Sequence, residues 1–459
     1  MRAWPPERVA GAAGARLIAA PPVAGGPERT VIDSRAAGPG ALFVGLRGAN
    51  DDGGRFVPQA IAAGAWGVLT TPEHAEAAAS AGGPAPTADP SGVILAADDP
   101  LKALQRLATA WRRELEADVI GVTGSTGKTS TKDILLAVLA PHRRTVASRA
   151  NYNTEIGLPL EILDAPAGTE VLVLEMGMRG AGQIAELAAI AEPDVGVIVS
   201  VGPVHLELLG SLEAIAAAKA ELIAALPPGG TAVVPANEPL LEPHLRGDLK
   251  IVTFGNSTGD VTIKASGPDR VEIDARGSTI VLEVPFTQAH LRINLLAAVA
   301  AATAIGVTPD GRVELTLSPG RGERTRLASG VTLIDDCYNA NPMSMRAALD
   351  ELAVRAPGTN GGRRVAVLGD MLELGPDERD YHALLGERAS ETGVELLVTV
   401  GSLAAAIADR FEGEAHSVAD AGEAAALVPE LLEPGDVVLV KGSRGVGLEL
   451  VCDALRAQA

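Results

Sequence analysis

The chain has 459 residues, a formal net charge of −20 and 47% hydrophobic residues, while only 2% of its residues are aromatic. This length predicts about three domains, and the acidic excess argues against nucleic-acid or anionic-membrane partners, which bind basic surfaces. Two cysteines without metal-type spacing are typical of a reducing compartment. No apolar run reaches the roughly 20 residues of a membrane span, and the proline-broken start does not resemble a signal peptide. We therefore expect a soluble cytoplasmic protein without membrane insertion.

The order of apolar and turn-forming segments predicts an α/β protein with several domains. In the first region, short strands such as Ala41–Val44 and Gly67–Leu69 alternate with alanine-rich helical runs. Asp99 and Pro100 then predict the N-cap and first turn of a connecting helix. The predicted division is a first domain at residues 1–97, the connecting helix at 98–117, a central domain at 118–318 and a third domain at 319–459.

The central and third regions read as buried parallel sheets. Continuous β-branched runs at 119–122, 171–174 and 195–199 predict strands that are covered on both faces. Apolar and polar residues alternate between Val252 and Phe286, which predicts a small antiparallel element, and the run from Asn294 to Val307 predicts a buried helix. The third region repeats a strand–helix pattern, with strands predicted at 331–334, 365–368, 396–400 and 437–440.

The residues Gly121 to Ser130 predict a phosphate-binding loop. The sequence Gly-Val-Thr-Gly-Ser-Thr-Gly-Lys-Thr-Ser follows an apolar strand and precedes an amphipathic helix, which is how backbone N–H groups cradle a nucleotide phosphate. Lys128 would supply charge to the β- and γ-phosphates, and the Thr129 hydroxyl would reach Mg²⁺. The spacing departs from a strict P-loop, whose first glycine falls where Val122 stands, and a chance turn is the alternative.

Three further residues follow in the central region. Glu175 ends a buried strand, where a carboxylate can hold Mg²⁺ directly or through water; the alternative is an ordinary strand-end residue. His205 follows the next strand, and a solvated or capping histidine is its alternative. Lys219 lies in a helix-forming run, and this pattern favours the interpretation as a surface lysine. The other interpretation is a buried amine with a lowered pKa, which can react with CO₂ to form an anionic carbamate.

Two polar segments complete the candidates, and both could be plain turns. Asn151 to Pro159 concentrates amides that could position an acyl or sugar group. Asp335 to Pro342 follows a predicted strand and contains one of only three tyrosines. Cys337 has no base beside it, so we do not interpret it as a nucleophile.

Together these motifs resemble the Mur ligase family along essentially the whole chain. Asp33-Ser34-Arg35, residues 39–43 and Gly64-Ala65 are similar to its UDP-sugar-binding domain, and the motifs of the central region occur in the family's order. Residues 335–342, 368–375 and 440–444 resemble the branch that adds D-Ala-D-Ala. The chain departs from the family pattern at Gly54, where histidine is frequent, and at Leu291, where asparagine is usual.

The resemblance implies a fold and a reaction. The fold is a three-domain architecture: an N-terminal α/β UDP-sugar domain, a central ATPase-like parallel sheet and a C-terminal Rossmann-like domain. The reaction is the ATP-dependent ligation of D-Ala-D-Ala to UDP-MurNAc-tripeptide through an acyl phosphate, with Mg²⁺ as cofactor. This would be the last cytoplasmic step towards the peptidoglycan precursor, and therefore part of cell wall biogenesis, cell shape and division.

The resemblance also implies roles for individual residues. The implied catalytic residues are Lys128, Glu175, His205 and Lys219. The implied ATP contacts are Gly124, Ser125, Thr126, Gly127, Lys128, Thr129, Ser130, Asn294, Arg321, Asp336, Tyr338 and Asn339. The implied substrate contacts are Ser34, Arg35, Asn151, Asn153, Thr154, Asn341, Ser443 and Arg444. The implied metal ligands are Thr129, Glu175, His205 and, if it is carbamylated, Lys219.

Two rival functions remain open at this point. One is a sister ligase that adds a single amino acid, against which the motifs of the third region argue. The other is a P-loop ATPase switch without ligation activity, which leaves Glu175, His205, Lys219 and the third region unexplained. For the ligase we expect small-molecule substrates, no nucleic-acid partner and a monomer.

Overall fold

The computed structural model describes residues 1, 3–21, 25–48, 51–81, 92–149, 151–354 and 362–457. Its strands form three sheets, each with helices packed against it, which confirms the predicted α/β class. Within these ranges, no helix combines the length and the apolar character needed to cross a bilayer.

The first sheet contains five strands in the order β1-β5-β4-β3-β2. Its strands are β1 (Arg16–Ala19), β2 (Arg29–Val31), β3 (Ala41–Val44), β4 (Gly67–Thr70) and β5 (Val93–Ala96), and the helices of this region are α1 (Pro6–Ala13), α2 (Val57–Ala62), α3 (Pro72–Ala81) and α4 (Pro100–Leu115). The N-cap of α4 is as predicted, since the Asp99 carboxylate accepts a hydrogen bond from the Lys102 N–H at 3.0 Å. Apolar residues of α4, including Leu104 and Leu107, join one hydrophobic core with the helices of the second sheet.

The second sheet contains ten strands in the order β15-β14-β13-β12-β11-β10-β9-β6-β8-β7. The strands are β6 (Asp118–Thr123), β7 (Thr145–Ala147), β8 (Val171–Glu175), β9 (Val195–Ile198), β10 (Thr231–Pro235), β11 (Lys250–Gly255), β12 (Val261–Ser266), β13 (Arg270–Ala275), β14 (Ser278–Glu283) and β15 (Gly311–Arg312). The helices are α5 (Lys128–Leu139), α6 (Gly157–Asp164), α7 (Gln183–Ala191), α8 (Leu206–Leu209), α9 (Leu212–Ala225) and α10 (Ala289–Ala304).

Two predictions for this region are confirmed. Strands β12, β13 and β14 pair antiparallel, and β12 joins them to the parallel strand β11, so that the antiparallel element extends the main sheet. The predicted buried helix is α10, whose residues from Leu295 to Ala302 are fully buried. Because α10 packs beside α5, it brings its own side chains close to the phosphate loop.

The third sheet contains six strands in the order β16-β17-β21-β18-β19-β20, of which only β16 is antiparallel to its neighbour. The strands are β16 (Glu323–Arg326), β17 (Thr332–Asp335), β18 (Arg364–Gly369), β19 (Leu396–Val400), β20 (Glu414–Val418) and β21 (Val437–Lys441). The helices are α11 (Pro342–Val354), α12 (Glu378–Glu391), α13 (Ala405–Ala408), α14 (Ala421–Leu431) and α15 (Glu449–Ala457). The four predicted strands are present as β17, β18, β19 and β21.

Candidate functional site

The phosphate loop connects the end of β6 to the start of α5. Gly124 and Gly127 have φ angles of +157° and +80°. A Cβ on Gly127 would lie 2.7 Å from Asn294 Oδ1 and 2.9 Å from Val199 Cγ1. Glycine is therefore required at position 127 both by the left-handed backbone and by the close approach of α10 and the segment after β9. The loop leaves the first N–H groups of α5 facing the carboxyl edge of the sheet.

Hydrogen bonds tie the loop to the segment that follows β9. The Ser125 N–H donates to the Ser200 carbonyl at 2.9 Å, and the Thr126 N–H donates to Ser200 Oγ at 2.9 Å. Lys128 Nζ reaches back across the loop and donates to the Gly124 carbonyl at 2.8 Å. Burial lowers the pKa of Lys128, while the nearby Glu175 carboxylate raises it and Arg321 lowers it. The amine of Lys128 is therefore held over the loop, close to the Glu175 carboxylate.

Glu175 is a buried carboxylate with one oxygen left unbonded. It ends β8 and is 2% exposed. Its Oε1 accepts a hydrogen bond from Asn153 Nδ2 at 2.7 Å, whereas its Oε2 has no partner among the described residues. An unsatisfied buried carboxylate oxygen is costly. This oxygen is therefore suited to a cation or to a water molecule bound to one.

Lys219 is buried, so the surface-lysine interpretation is wrong. Its side chain lies on α9, is 2% exposed and makes no hydrogen bond or ion pair with the described parts of the chain. Burial lowers the pKa of Lys219 well below its usual value, and the Lys128 cation lowers it further. A neutral amine in this position retains its lone pair and can act as a nucleophile.

His205 contacts the third sheet through Glu373. It follows β9 and precedes α8 with a left-handed φ of +54°, and its Nδ1 hydrogen-bonds to a carboxylate oxygen of Glu373. Glu373 follows β18 and also has a positive φ, of +64°. Burial lowers the pKa of His205 and the Glu373 carboxylate raises it, while Lys128 and Lys219 lower it. The sequence motif contained Glu373, but nothing in it indicated this contact.

The loop after β17 meets the phosphate loop through Arg321. The Arg321 guanidinium carbon lies 4.0 Å from the ring centroid of Tyr338, and that of Arg444 lies 5.1 Å from the same ring. Arg321 Nη2 also donates to Thr129 Oγ1 at 3.2 Å. A single guanidinium therefore contacts both the helix of the phosphate loop and the Tyr338 loop.

The buried side chain of Lys441 also binds the loop that contains Tyr338. Lys441 ends β21, is 2% exposed, and places Nζ 2.7 Å from Asp336 Oδ2 and 2.9 Å from the Asn339 carbonyl. No role for Lys441 was predicted from the sequence. Two other predicted residues bond to the backbone in this part of the fold. Asn341 Oδ1 accepts the nearby Ser344 N–H at 3.0 Å, whereas Ser443 Oγ accepts the N–H of Leu372, on the segment after β18, at 3.0 Å.

These elements enclose a cavity of about 290 Å³ between the second and third sheets. Predicted nucleotide contacts from both sides line it, namely Thr126, Gly127, Ser130, Asn294, Arg321 and Asp336. His290 and Lys441 also line it and were missed by the sequence analysis. Leu291, where the chain departs from the family pattern, is not among the residues that line this cavity. Its side chain is buried in the same hydrophobic core as the apolar residues 295–302 of α10.

The predicted sugar- and peptide-binding residues lie outside this cavity. Ser34 Oγ donates to Gln59 Oε1 at 3.0 Å, and Arg35 forms an exposed ion pair with Asp33 at 2.6 Å. Asn151 and Thr154 are exposed on the loop before α6. In contrast, Asn153 of the same loop donates to Oε1 of Glu175, so the structure connects this loop to the carboxylate whose other oxygen, Oε2, is left unbonded.

Comparison with known proteins identifies the family. Three family models match successive parts of the chain: "Mur ligase family, catalytic domain" at residues 29–112, "Mur ligase middle domain" at 122–302 and "Mur ligase, glutamate ligase domain" at 320–444. A Mycobacterium tuberculosis relative is 40% identical over 477 residues, and a Synechocystis relative is 36% identical over 434 residues; each alignment covers 93% of this chain and 91% of the relative. The chain therefore belongs to the Mur ligase family.

Within the family, these relatives carry one name. Both are UDP-N-acetylmuramoyl-tripeptide–D-alanyl-D-alanine ligases, and this chain is similar to them. The fold agrees: a crystal structure of MurF from Acinetobacter baumannii superposes with a TM-score of 0.84 at 27% identity, covering 99% of both chains. MurF from Thermotoga maritima in complex with ADP gives 0.78 at 30% identity, covering 94% of this chain and 97% of that one.

Proposed function

We propose that this chain joins D-Ala-D-Ala to UDP-MurNAc-tripeptide in an ATP-dependent reaction. The relatives named for that activity support the proposal, as does the similar structure that was solved with ADP. The observation that carries it is the cavity between the second and third sheets. There Thr126 and Gly127 of the phosphate loop line the same cavity as Arg321 and Asp336, which supports a nucleotide site between the two sheets.

The proposed chemistry is amide formation through an acyl phosphate. A carboxylate oxygen of the tripeptide attacks the γ-phosphorus of ATP, and the bond from that phosphorus to the ADP oxygen breaks. The amine of D-Ala-D-Ala then attacks the activated carbonyl carbon, phosphate leaves and the amine loses a proton. Such reactions depend mainly on positioning and charge stabilisation. Lys128 and the loop N–H groups would hold the phosphates, with Arg321 and Arg444 as anion clamps.

We infer that Mg²⁺ is the cofactor, with one ion held by Thr129 and Glu175 and a second ion held by Glu175, His205 and carbamylated Lys219. The unbonded Oε2 of Glu175 supports this set. The Thr129 hydroxyl oxygen accepts from Arg321 and retains a second lone pair. The neutral Lys219 amine would attack CO₂ and lose one proton, which converts it into an anionic ligand. When bound, Mg²⁺ would neutralise charge on the transferring phosphoryl group.

The remaining roles are part of the same proposal. The other proposed ATP contacts are Gly124, Ser125, Thr126, Gly127, Ser130, Asn294, Asp336, Tyr338 and Asn339. The proposed contacts to the UDP-sugar peptide are Ser34, Arg35, Asn151, Asn153 and Thr154, and those to the dipeptide are Asn341, Ser443 and Arg444. We also propose a cytoplasmic monomer with domains at residues 1–97, 118–318 and 319–459, joined by the helical segment 98–117.

The test is phosphate release by the purified protein with ATP, Mg²⁺ and UDP-MurNAc-tripeptide, with and without D-Ala-D-Ala. We expect release that depends on the dipeptide, together with a UDP-MurNAc-pentapeptide identified by mass. Single amino acids offered in place of the dipeptide distinguish the sister ligases, which would form a tetrapeptide product. Phosphate release that is indifferent to both peptide substrates would contradict the proposal and favour an ATPase switch.

A further inference from the structure

A buried ion pair lies on α5, one turn beyond the phosphate loop. Lys132 and Asp133 are only 4% and 7% exposed, and their Nζ and Oδ1 atoms are 2.6 Å apart. Charged side chains are seldom buried unless they are paired and hydrogen-bonded, because their removal from water is costly. The proposed chemistry uses neither residue, so their burial requires another explanation.

The Asp133 carboxylate binds the chain segment that leads into the third sheet. Its Oδ2 accepts the Ser318 N–H at 2.8 Å, and its Oδ1 accepts the Ser318 hydroxyl at 3.2 Å. The connection from Val313 to Gly322 contains no regular helix or strand. Many backbone conformations are therefore open to it unless side chains restrict it. Two charge-assisted bonds at Ser318 fix this connection three residues before Arg321.

Lys132 extends the same network to the opposite side. Its Nζ donates to the Ser148 carbonyl at 2.8 Å, at the end of β7. Ser148 Oγ in turn accepts the N–H of Glu175 at 3.0 Å. The pair therefore connects the phosphate-loop helix to Ser148, which bonds to Glu175, and to Ser318, which lies three residues before Arg321.

We propose that Asp133 is a positioning residue for Arg321. By holding Ser318, it keeps the Arg321 guanidinium on the Thr129 hydroxyl and against the Tyr338 ring, where the nucleotide cavity closes. The Arg321 guanidinium lies at the end of a long side chain on an irregular segment, so its position in the cavity depends on a fixed backbone. Asp133 thereby couples the phosphate-loop helix to the third sheet without touching substrate. The inference concerns the site of the proposed function. Its turnover measurement rests on that function, whereas its ADP-binding measurement does not.

The test is a double-mutant cycle on ADP binding, measured by calorimetry with Asp133→Asn, Arg321→Ala and the combined variant. We expect Asp133→Asn to weaken ADP binding about tenfold, the size of one lost hydrogen bond to a charged group. In the Arg321→Ala background, the same change should add less than a twofold loss, because its effect passes through Arg321. Independent, multiplicative losses would overturn the proposal.

Two further variants keep the test decisive. Ser318→Ala removes the hydroxyl, which donates to Asp133 at 3.2 Å and accepts from Lys132 at 3.5 Å, and it leaves the ion pair and the Ser318 N–H bond intact. This variant serves if Asp133→Asn does not fold; we expect a smaller loss of about threefold that also disappears without Arg321. Asp436→Asn is the matched control, since Asp436 is 1% exposed and pairs with Arg363, the two residues standing immediately before β21 and β18. It should lower the melting temperature and leave ADP affinity unchanged. If Asp436→Asn loses as much ADP affinity as Asp133→Asn, the proposed route from Asp133 through Ser318 to Arg321 is overturned.

Turnover gives a second, separable measurement. A positioning role raises the KM for ATP in Asp133→Asn, whereas a purely structural role lowers kcat through a smaller active fraction and leaves KM unchanged. If the wild-type chain binds ADP but forms no pentapeptide product, the proposed ligation fails, while the binding cycle still decides the role of Asp133.

Discussion

Gly127→Ala is the sharpest test of the phosphate loop, because two costs can be separated at this residue. The first is conformational: a φ of +80° costs an alanine about 1–2 kcal/mol. The second is steric: the new methyl group would lie 2.7 Å from Asn294 Oδ1 and 2.9 Å from Val199 Cγ1. Overpacking of this kind costs about 1–3 kcal/mol. We expect the loop to shift to relieve the contact.

The shift should appear as weaker nucleotide binding. If ADP binds only to the loop in its native position, binding must move the loop back and restore the steric contact. The free energy of that contact is then subtracted from the binding free energy. A cost of about 2 kcal/mol corresponds to an approximately 30-fold higher Kd. Gly277→Ala is the control, since Gly277 has a similar φ of +86° in the turn between β13 and β14 and no atom within 4 Å of its added Cβ. That variant shares only the conformational cost and should bind ADP like the wild type.

Calorimetry with ADP and Mg²⁺ measures both variants, and thermal unfolding reports whether each is folded. A folded Gly127→Ala protein that binds ADP within twofold of the wild type would refute the close-approach argument. Equal losses of affinity in Gly277→Ala and Gly127→Ala would refute it as well, because the loss would then be global.

Three other predictions follow from single side chains. Lys128→Ala should abolish phosphate release and leave the melting temperature nearly unchanged; a folded variant with normal turnover would contradict the phosphate-loop assignment. Lys219→Ala should lose activity and recover part of it with added short carboxylates, which can replace a carbamate; full activity without any addition would exclude that role. Burial lowers the pKa of His382 from its usual 6.5, so the unfolded chain takes up a proton first and stability should fall as pH drops below that value. Urea unfolding at about pH 7.5 and about pH 5.5 should show this loss in the wild type and a smaller one in His382→Gln, whereas equal losses would contradict it.

The geometry of His382 explains the sign of the last prediction. Its Nε2 accepts the Met371 N–H at 2.8 Å, and its Nδ1 faces the Glu378 carbonyl at 2.6 Å. The ring therefore carries its proton on Nδ1, and a second proton on Nε2 would break the bond to Met371. Because Met371 lies two residues before Glu373, loss of this bond would also loosen the segment that reaches His205.

Several central strands of the three sheets could be predicted, whereas the edge strands β16 and β20 could not. Buried strands such as β8 and β19 consist of continuous apolar residues, because both of their faces are covered. The edge strand β16 has the sequence Glu-Arg-Thr-Arg, and the edge strand β20 has Glu-Ala-His-Ser-Val. Edge strands face water and favour charged residues, so their apolar pattern disappears and only pairing with a neighbour reveals them.

Residues that act within one local segment were also open to prediction. The phosphate loop is set by glycines and a lysine that are close in the chain, and Glu175 is placed by its own strand. Lys219 could not be decided in this way: its helical run is compatible with either face, and only the packing of α9 buries the amine. The roles of these residues in catalysis remain proposals that the variants above would test.

By itself, then, the sequence determined the class of fold, the phosphate loop and the residues at the carboxyl ends of the buried strands, because local spacing and burial dictate them. The tertiary structure decided the contacts between distant segments. His205 meets Glu373 across 168 residues, and Asp133 holds Ser318 across 185. Such contacts depend on strand order and on how the second and third sheets face each other. No local pattern encodes that arrangement, since each partner alone is a common polar residue in a turn or helix.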